Sequence, residues 1–167
     1  MSESMMVDER YEILDILAPL SGTAIGLDEV PDPAFACGAI GAGVAVVPEG
    51  EVMVAPVHGK VAALVSSGHA VGFLSRDGLE ILVHVGVDTV YTPGVSRFFR
   101  VLVKQGDTVR AGQPVIHLDL QGLKSAGVVL TSPVVVTAPQ DNIELLPGTK
   151  KVAAGIDVLF RVKRPGE

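Results

Sequence analysis

The chain has 167 residues and a formal net charge of −6, and it is 48% hydrophobic but only 4% aromatic, with no Trp. That length suits one domain with a core of Val, Ile, Leu and Ala, while 19 Gly and 11 Pro suit short strands joined by tight turns. The acidic balance argues against nucleic acid or an anionic membrane as partner, and the single Cys37 excludes an internal disulfide. No basic-then-apolar leader opens the chain, and the longest run of apolar and small residues, 34–47, is too short and glycine-rich to insert in a bilayer. A cytoplasmic protein is expected.

In chain order, residues 1–10 are polar and unpatterned and read as a flexible leader to a domain spanning 11–167. An apolar strand at 13–17 runs into Ala18-Pro19-Leu20-Ser21-Gly22, and the same unit returns as Val54-Ala55-Pro56-Val57-His58-Gly59. A weaker echo is Leu130-Thr131-Ser132-Pro133-Val134-Val135. Repeated strand–proline–turn units predict a sheet with internal quasi-symmetry. Between the first two lies Asp28-Glu29-Val30-Pro31-Asp32-Pro33-Ala34-Phe35, read as a rigid acidic loop ending on an aromatic. Residues 68–90 form the organising stretch. Val71, Phe73, Leu79, Ile81 and Val83 mark two apolar segments about the turn Arg76-Asp77-Gly78, and Asp-Gly is a strong hairpin signal.

Further on, 91–96 reads as a loop and 98–103 as a strand or short turn of helix. Residues 104–115 carry a turn signature resembling that of biotinyl and lipoyl carrier domains; 115–120 reads as a strand and 123–127 as a helical turn. Residues 131–137 and 154–162 are the closing strands. The pattern predicts an all-β, single-domain antiparallel β-sandwich or barrel, a barrel-sandwich hybrid with internal duplication and very little helix.

Folding the hairpin brings its two histidines together. His69 stands before the turn and His84 after it, so the imidazoles should lie on neighbouring strands, on one face and within side-chain reach. His58 and His117 read as structural. His84 differs, because it interrupts the aliphatic strand Ile81-Leu82-Val83-His84-Val85, where a buried ring needs partners for both nitrogens. Paired imidazoles at a sheet surface suit phosphoryl transfer or metal binding. Gly86 lets the backbone curl so that a carbonyl can bond one ring nitrogen and fix the tautomer, and Ser67 stands where it can orient His69. With no G-x-x-x-x-G-K-[ST] loop to hold a nucleotide, a phosphoryl group would arrive on another protein.

The segment Gly78-Leu79-Glu80-Ile81-Leu82-Val83-His84-Val85-Gly86-Val87-Asp88-Thr89-Val90 resembles the phosphohistidine signature of the enzyme IIA domain, glucose type, of the bacterial sugar phosphotransferase system. The likeness extends over roughly residues 13–162, through Leu17-Ala18-Pro19-Leu20-Ser21-Gly22, Val30-Pro31-Asp32-Pro33-Ala34-Phe35, Gly68-His69-Ala70 and Gly106-Asp107-Thr108-Val109. The resemblance implies a phosphotransferase component. His84 would accept a phosphoryl group from the phosphocarrier HPr and pass it to the cysteine of an enzyme IIB domain of a glucose-family permease. His69 would steady the group without being phosphorylated, and Ser67 would orient His69. Asp32 and Asp88 would meet a basic rim on HPr, with Phe35, Ile40 and Gly86 completing the partner-binding surface; on their residues alone, Asp32 and Asp88 read as a solvated turn and a capping carboxylate. Regulatory binding to metabolic enzymes or transporters in the unphosphorylated state is also compatible with the family.

No cofactor is expected. A protein-only zinc site lacks a His-x-His pair, although His69 and His84 could share zinc at an interface where a partner supplies a further ligand. A lipoyl or biotin carrier lacks its lysine at a hairpin tip. Two features depart from the family: the first residues carry Glu3, Asp8, Glu9 and Glu12 against Arg10, where free-standing members have a basic membrane-associating segment, and His58 replaces the usual aspartate of its turn.

Overall fold

Alternating apolar residues and glycine turns fold the chain back on itself repeatedly. The computed structural model describes residues 10–140 and 143–166; the leader reading at 1–9 lies outside the described residues. The strands are β1 (Tyr11–Leu17), β2 (Gly22–Gly26), β3 (Ala42–Pro48), β4 (Val52–Val54), β5 (Gly59–Leu64), β6 (Ala70–Ser75) and β7 (Glu80–His84). They continue as β8 (Phe99–Val101), β9 (Thr108–Val109), β10 (Pro114–Leu118), β11 (Ser132–Ala138), β12 (Glu144–Pro147), β13 (Lys151–Val152) and β14 (Val158–Pro165). Among the described residues, helix is confined to α1 (Pro33–Ala36), α2 (Leu120–Ser125) and three single 3-10 turns. An eight-stranded antiparallel sheet, ordered β13-β2-β3-β11-β7-β6-β5-β9, is flanked by two three-stranded sheets, β1-β14-β12 and β4-β10-β8.

The internal duplication is visible in the pairing. The large sheet is palindromic about β11 and β7, which meet with Val134 opposite Val83. At its ends, Gly22 and Thr23 pair with Val152 and Lys151, just as Gly59 and Lys60 pair with Val109 and Thr108. The two Ala-Pro units cross reciprocally: Leu17 N–H donates to the Pro56 carbonyl (3.0 Å) and Val54 N–H to the Pro19 carbonyl (2.8 Å). Proline has no N–H, so each supplies only an acceptor to its counterpart. Gly155 N–H bonds the Ala18 carbonyl and Gly112 N–H the Ala55 carbonyl, both at 2.8 Å. Both alanines are fully buried, and both glycines have positive φ, which a side chain would strain. The echo at 130–135 is not a third copy; its Pro133 lies inside β11, opposite Ala45.

The boundaries differ from expectation in a few places. Residues 28–35 are not all loop: Leu27–Glu29 is a 3-10 turn, and α1 begins at Pro33 because the Asp32 carboxylate accepts the Ala34 N–H at 3.0 Å. β10 stops at Leu118, and Asp119 caps α2 through Gly122 N–H at 2.9 Å. The last strand starts at Val158, since 153–157 form the turn that meets Ala18. The stretch 98–103 divides into the end of a 3-10 turn, Val95–Phe98, followed by β8.

Inner residues of all three sheets, among them Ile16, Met53, Phe73, Ile116, Val134 and Phe160, form one apolar cluster. A second, smaller cluster lies on the other face of the large sheet, where Val30, Phe35, Ala45, Val87 and Val135 pack with Ile40 and Leu82. In β7, alternation sends Ile81 and Val83 to the inner core and Leu82 to this outer cluster. His84 is next in phase with Leu82.

Candidate functional site

His84 ends β7 on that outer face. The ladder between β7 and β11 begins at Val83 and Val134; the next residue of β11 is Pro133, which has no N–H to extend it. The chain then turns sharply. Gly86 has φ +77°, and a Cβ there would come within 2.6 Å of Thr89 Oγ1. The turn brings the Gly86 carbonyl 2.8 Å from His84 Nδ1. Only an N–H can bond a carbonyl oxygen, so Nδ1 carries the proton and Nε2 keeps its lone pair. The turn is fastened on every side: Gly86 N–H to Ser132 Oγ at 3.0 Å, Val87 N–H to the Val129 carbonyl at 2.8 Å, and Thr89 Oγ1–H to the Val85 carbonyl at 2.5 Å.

His69 lies one residue ahead of β6. Ala70, not His69, stands opposite His84, so strict pleat alternation would put the two histidines on opposite faces, against the single-face expectation. His69 escapes that rule because the strand has not yet begun; Gly68, with φ +84°, bends the chain immediately before it. The backbones remain joined, with Val85 N–H donating to the His69 carbonyl at 2.7 Å. The rings meet edge to face, their centroids 4.9 Å apart. Ser67 Oγ is 2.6 Å from His69 Nδ1.

The other residues singled out in the sequence converge on the same face. The Phe35 ring tilts against His84 with centroids 5.5 Å apart, and Ile40 belongs to the same apolar cluster as Phe35. Asp32 both caps α1 and acts electrostatically on His84; Asp88, exposed and left-handed at φ +56°, also acts electrostatically on that ring. The two readings from residues alone are thus reversed: Asp32, read as a solvated turn, caps α1, whereas the carboxylate of Asp88, read as the cap, makes no capping hydrogen bond. His58 and His117 stay outside: His58 accepts the Ala111 N–H at 3.2 Å, and His117 sits on β10 opposite Arg100. Three features of the site escaped sequence reasoning: the fully buried hydroxyls of Ser132 and Thr89, and the exposed apolar residues Val90, Tyr91 and Val129 beside the turn. Among the described residues, no group of three or more His, Cys, Asp or Glu is placed to hold a metal ion.

Burial pushes the His69 imidazole down to about 4, and the neighbouring His84 adds to the effect. Burial also lowers His84, against the Gly86 carbonyl and the carboxylates of Asp32 and Asp88, which favour the charged ring. Both rings are therefore neutral at pH 7, each with one bare nitrogen and one N–H.

A pH dependence follows. Unfolded His69 titrates near 6.5 and folded His69 near 4, so between those values the unfolded chain binds more protons. Its contribution to stability is complete above pH 6.5 and is lost as pH falls towards 4. Urea unfolding across that window should show a steeper loss for the wild type than for His69→Gln. Superimposable pH profiles would mean that the fold does not hold this ring neutral.

Comparison with known proteins gives the family. Residues 14–142 match the family described as phosphoenolpyruvate-dependent sugar phosphotransferase system, EIIA 1. The chain is 46% identical over 138 residues to the mannose-specific EIIBCA component of Corynebacterium glutamicum, covering 81% of this chain and 20% of that protein. It is 40% identical over 146 residues to the glucoside-specific EIICBA component of Staphylococcus carnosus, covering 87% of this chain and 21% of that one. The chain thus spans about a fifth of the length of these curated relatives. The solved structure of glucose permease IIA from Mycoplasma capricolum superposes with a TM-score of 0.79 at 33% identity, covering 89% of this chain and 96% of that one.

Proposed function

Since the chain belongs to the EIIA 1 family of the phosphoenolpyruvate-dependent sugar phosphotransferase system, we propose that it carries a phosphoryl group on His84 between two other proteins. The donor is phospho-HPr and the acceptor is the cysteine of an enzyme IIB domain. In the first step, His84 Nε2 attacks phosphorus, the new P–N bond forms, and the donor's P–N bond breaks with its electron pair returning to the donor. In the second, the cysteine thiolate attacks the same phosphorus, a P–S bond forms, and His84 leaves with its Nε2 lone pair restored. No redox change or cofactor enters either step.

The observation that carries this reading is the fixed tautomer: the Gly86 carbonyl holds the Nδ1 proton, so Nε2 is the nucleophile. A second neutral imidazole beside it supplies a donor to the transferring group, whose charge is spread over three equatorial oxygens. Asp32 and Asp88 flank the pair and suit a partner with a basic rim, while Phe35 and Ile40 exclude water from a labile bond. His84 meets phosphorus and never the sugar, so nothing in this site selects the sugar. Among the described residues no helix is long and apolar enough to cross a membrane, and an exposed free Cys37 suits a reducing cytoplasm, where we place the domain. The pair would bind zinc only with a further ligand from a partner, and the unphosphorylated face is suited to regulatory contacts with metabolic enzymes or transporters.

The test is transfer from phospho-HPr followed by mapping of the acid-labile phosphate. Label on the peptide containing His84 is expected; label elsewhere, or none, overturns the reading.

A further inference from the structure

We infer that Ser132 is a positioning residue for His84, acting through the backbone of Gly86; this rests on the carrier reading above. β11 is otherwise aliphatic from Val134 to Val136, all fully buried, yet at its start it carries a hydroxyl that is also fully buried. A buried hydroxyl without partners would be costly. Ser132 has two. Its Oγ–H donates to the Leu130 carbonyl at 2.7 Å, which turns a lone pair towards Gly86 N–H, 3.0 Å away.

Consider what this does at Gly86. The amide on its N-terminal side is held by Ser132. The amide on its C-terminal side carries the carbonyl that grips His84, and its own N–H, on Val87, is tied to Val129 at 2.8 Å. Gly86 sits between two anchored peptide planes, so its left-handed conformation, and with it the direction of its carbonyl, is set. Glycine is otherwise free to rotate at this φ. Ser132 belongs to a central strand, paired with Val46 of β3, so the anchor is as rigid as the sheet. It takes over where Pro133 ends the β7–β11 ladder, and supplies the bond that the backbone lacks there. Thr89 holds the Val85 carbonyl at the other end of that same N-terminal peptide plane, so Ser132 and Thr89 fix the plane together, and only Ser132 bonds the Gly86 N–H. The position of the His84 Nδ1 acceptor, and hence the share of rings with a free Nε2, is thus controlled by a hydroxyl 46 residues away in sequence.

The experiment compares the wild type with Ser132→Ala and Ser132→Cys. Cysteine fills the volume but is a poor acceptor, so it separates loss of the bond from loss of packing. Nitrogen-15 spectra of labelled histidine, recorded above pH 7, read the tautomer directly. In the wild type, His84 should show a protonated Nδ1 and a bare Nε2. In both variants its nitrogens should shift towards a tautomer mixture, while His69, held by Ser67, stays as it was. Initial rates of phosphoryl acceptance from phospho-HPr should fall about 10-fold, the lower end of what loss of its hydrogen-bond partner costs a metal-ligating histidine, carried over to this ring. A folded variant with the wild-type His84 tautomer overturns the proposal, as does a shifted tautomer with an unchanged rate. If the wild type itself takes no phosphoryl group, the carrier reading fails, and the tautomer measurement still decides whether Ser132 sets the ring.

Discussion

Replacing His84 by glutamine should reduce phosphoryl uptake from phospho-HPr by at least about 1,000-fold, to background. Glutamine is close in size, and its amide can still donate to the Gly86 carbonyl, which His84 Nδ1 now reaches at 2.8 Å. It lacks an sp² nitrogen lone pair, and so cannot form the P–N bond. The substitution therefore removes the nucleophile with little change to its surroundings: Phe35 retains a neighbour, and the hydrogen bonds of Ser132 and Thr89 lie behind the turn. The urea midpoint should move little, because His84 is only half-buried at the end of its strand. Incubation with radiolabelled phospho-HPr and separation under alkaline conditions, where the phosphoramidate survives, measures the effect. Undiminished labelling of the variant would place the acceptor elsewhere, and His69 would be the first residue to examine.

Much of this site was legible because its signals are local. Asp77-Gly78 determines a hairpin whose arms carry His69 and His84, and a polar ring inside Ile81-Leu82-Val83-His84-Val85 is conspicuous against its neighbours. The Ala-Pro units were recognisable as a repeat, and the reciprocal bonds at Pro19 and Pro56 show what the repeat does. The features that escaped are non-local. Ser132 fell inside a stretch read as a closing strand and a weak echo of the Ala-Pro unit, and nothing near it in sequence announces Gly86 as its partner. α1 is only four residues long, too short for a helical period to show; its one signal was Asp-Pro, an N-cap followed by a proline at the first helical position. The residues 154–157 read as strand because they continue an apolar run, whereas Gly155 is left-handed and turns the chain against Ala18. The single-face expectation for the histidines reached the right neighbourhood by an incomplete route: register alone would have separated them, and the bend at Gly68 reunites them.

Replacing His69 by glutamine should separate the two halves of the relay. Acceptance from phospho-HPr is expected to stay within about 10-fold of wild type, and transfer onward to an enzyme IIB cysteine to fall about 100- to 1,000-fold, the usual range for loss of a preorganised donor. The asymmetry comes from charge. In the first step the attacking group is the neutral His84 ring, so little negative charge is added to the phosphoryl oxygens. In the second, an anionic thiolate approaches a phosphoryl group that is already a dianion, and the transition state needs a donor that can itself become positive. His69 suits that task. In the resting protein burial holds it near 4 and neutral; a dianion placed against it would raise that value and favour the imidazolium. The 2.6 Å bond between Ser67 Oγ and His69 Nδ1 sets the orientation of the ring before the group arrives, and the tautomer this task needs is the one in which the hydroxyl donates and Nε2 carries the proton. Glutamine can donate a hydrogen bond but cannot acquire a proton, and it offers Ser67 no ring nitrogen to hold. Ser67→Ala should shift the second step in the same direction by a smaller factor. A chase experiment measures both rates in one sample: label the variant from phospho-HPr, add the IIB acceptor, and follow the decay of label on His84. Equal losses in the two steps would mean that His69 merely shapes the hollow, and an undiminished second step would remove it from the transfer altogether.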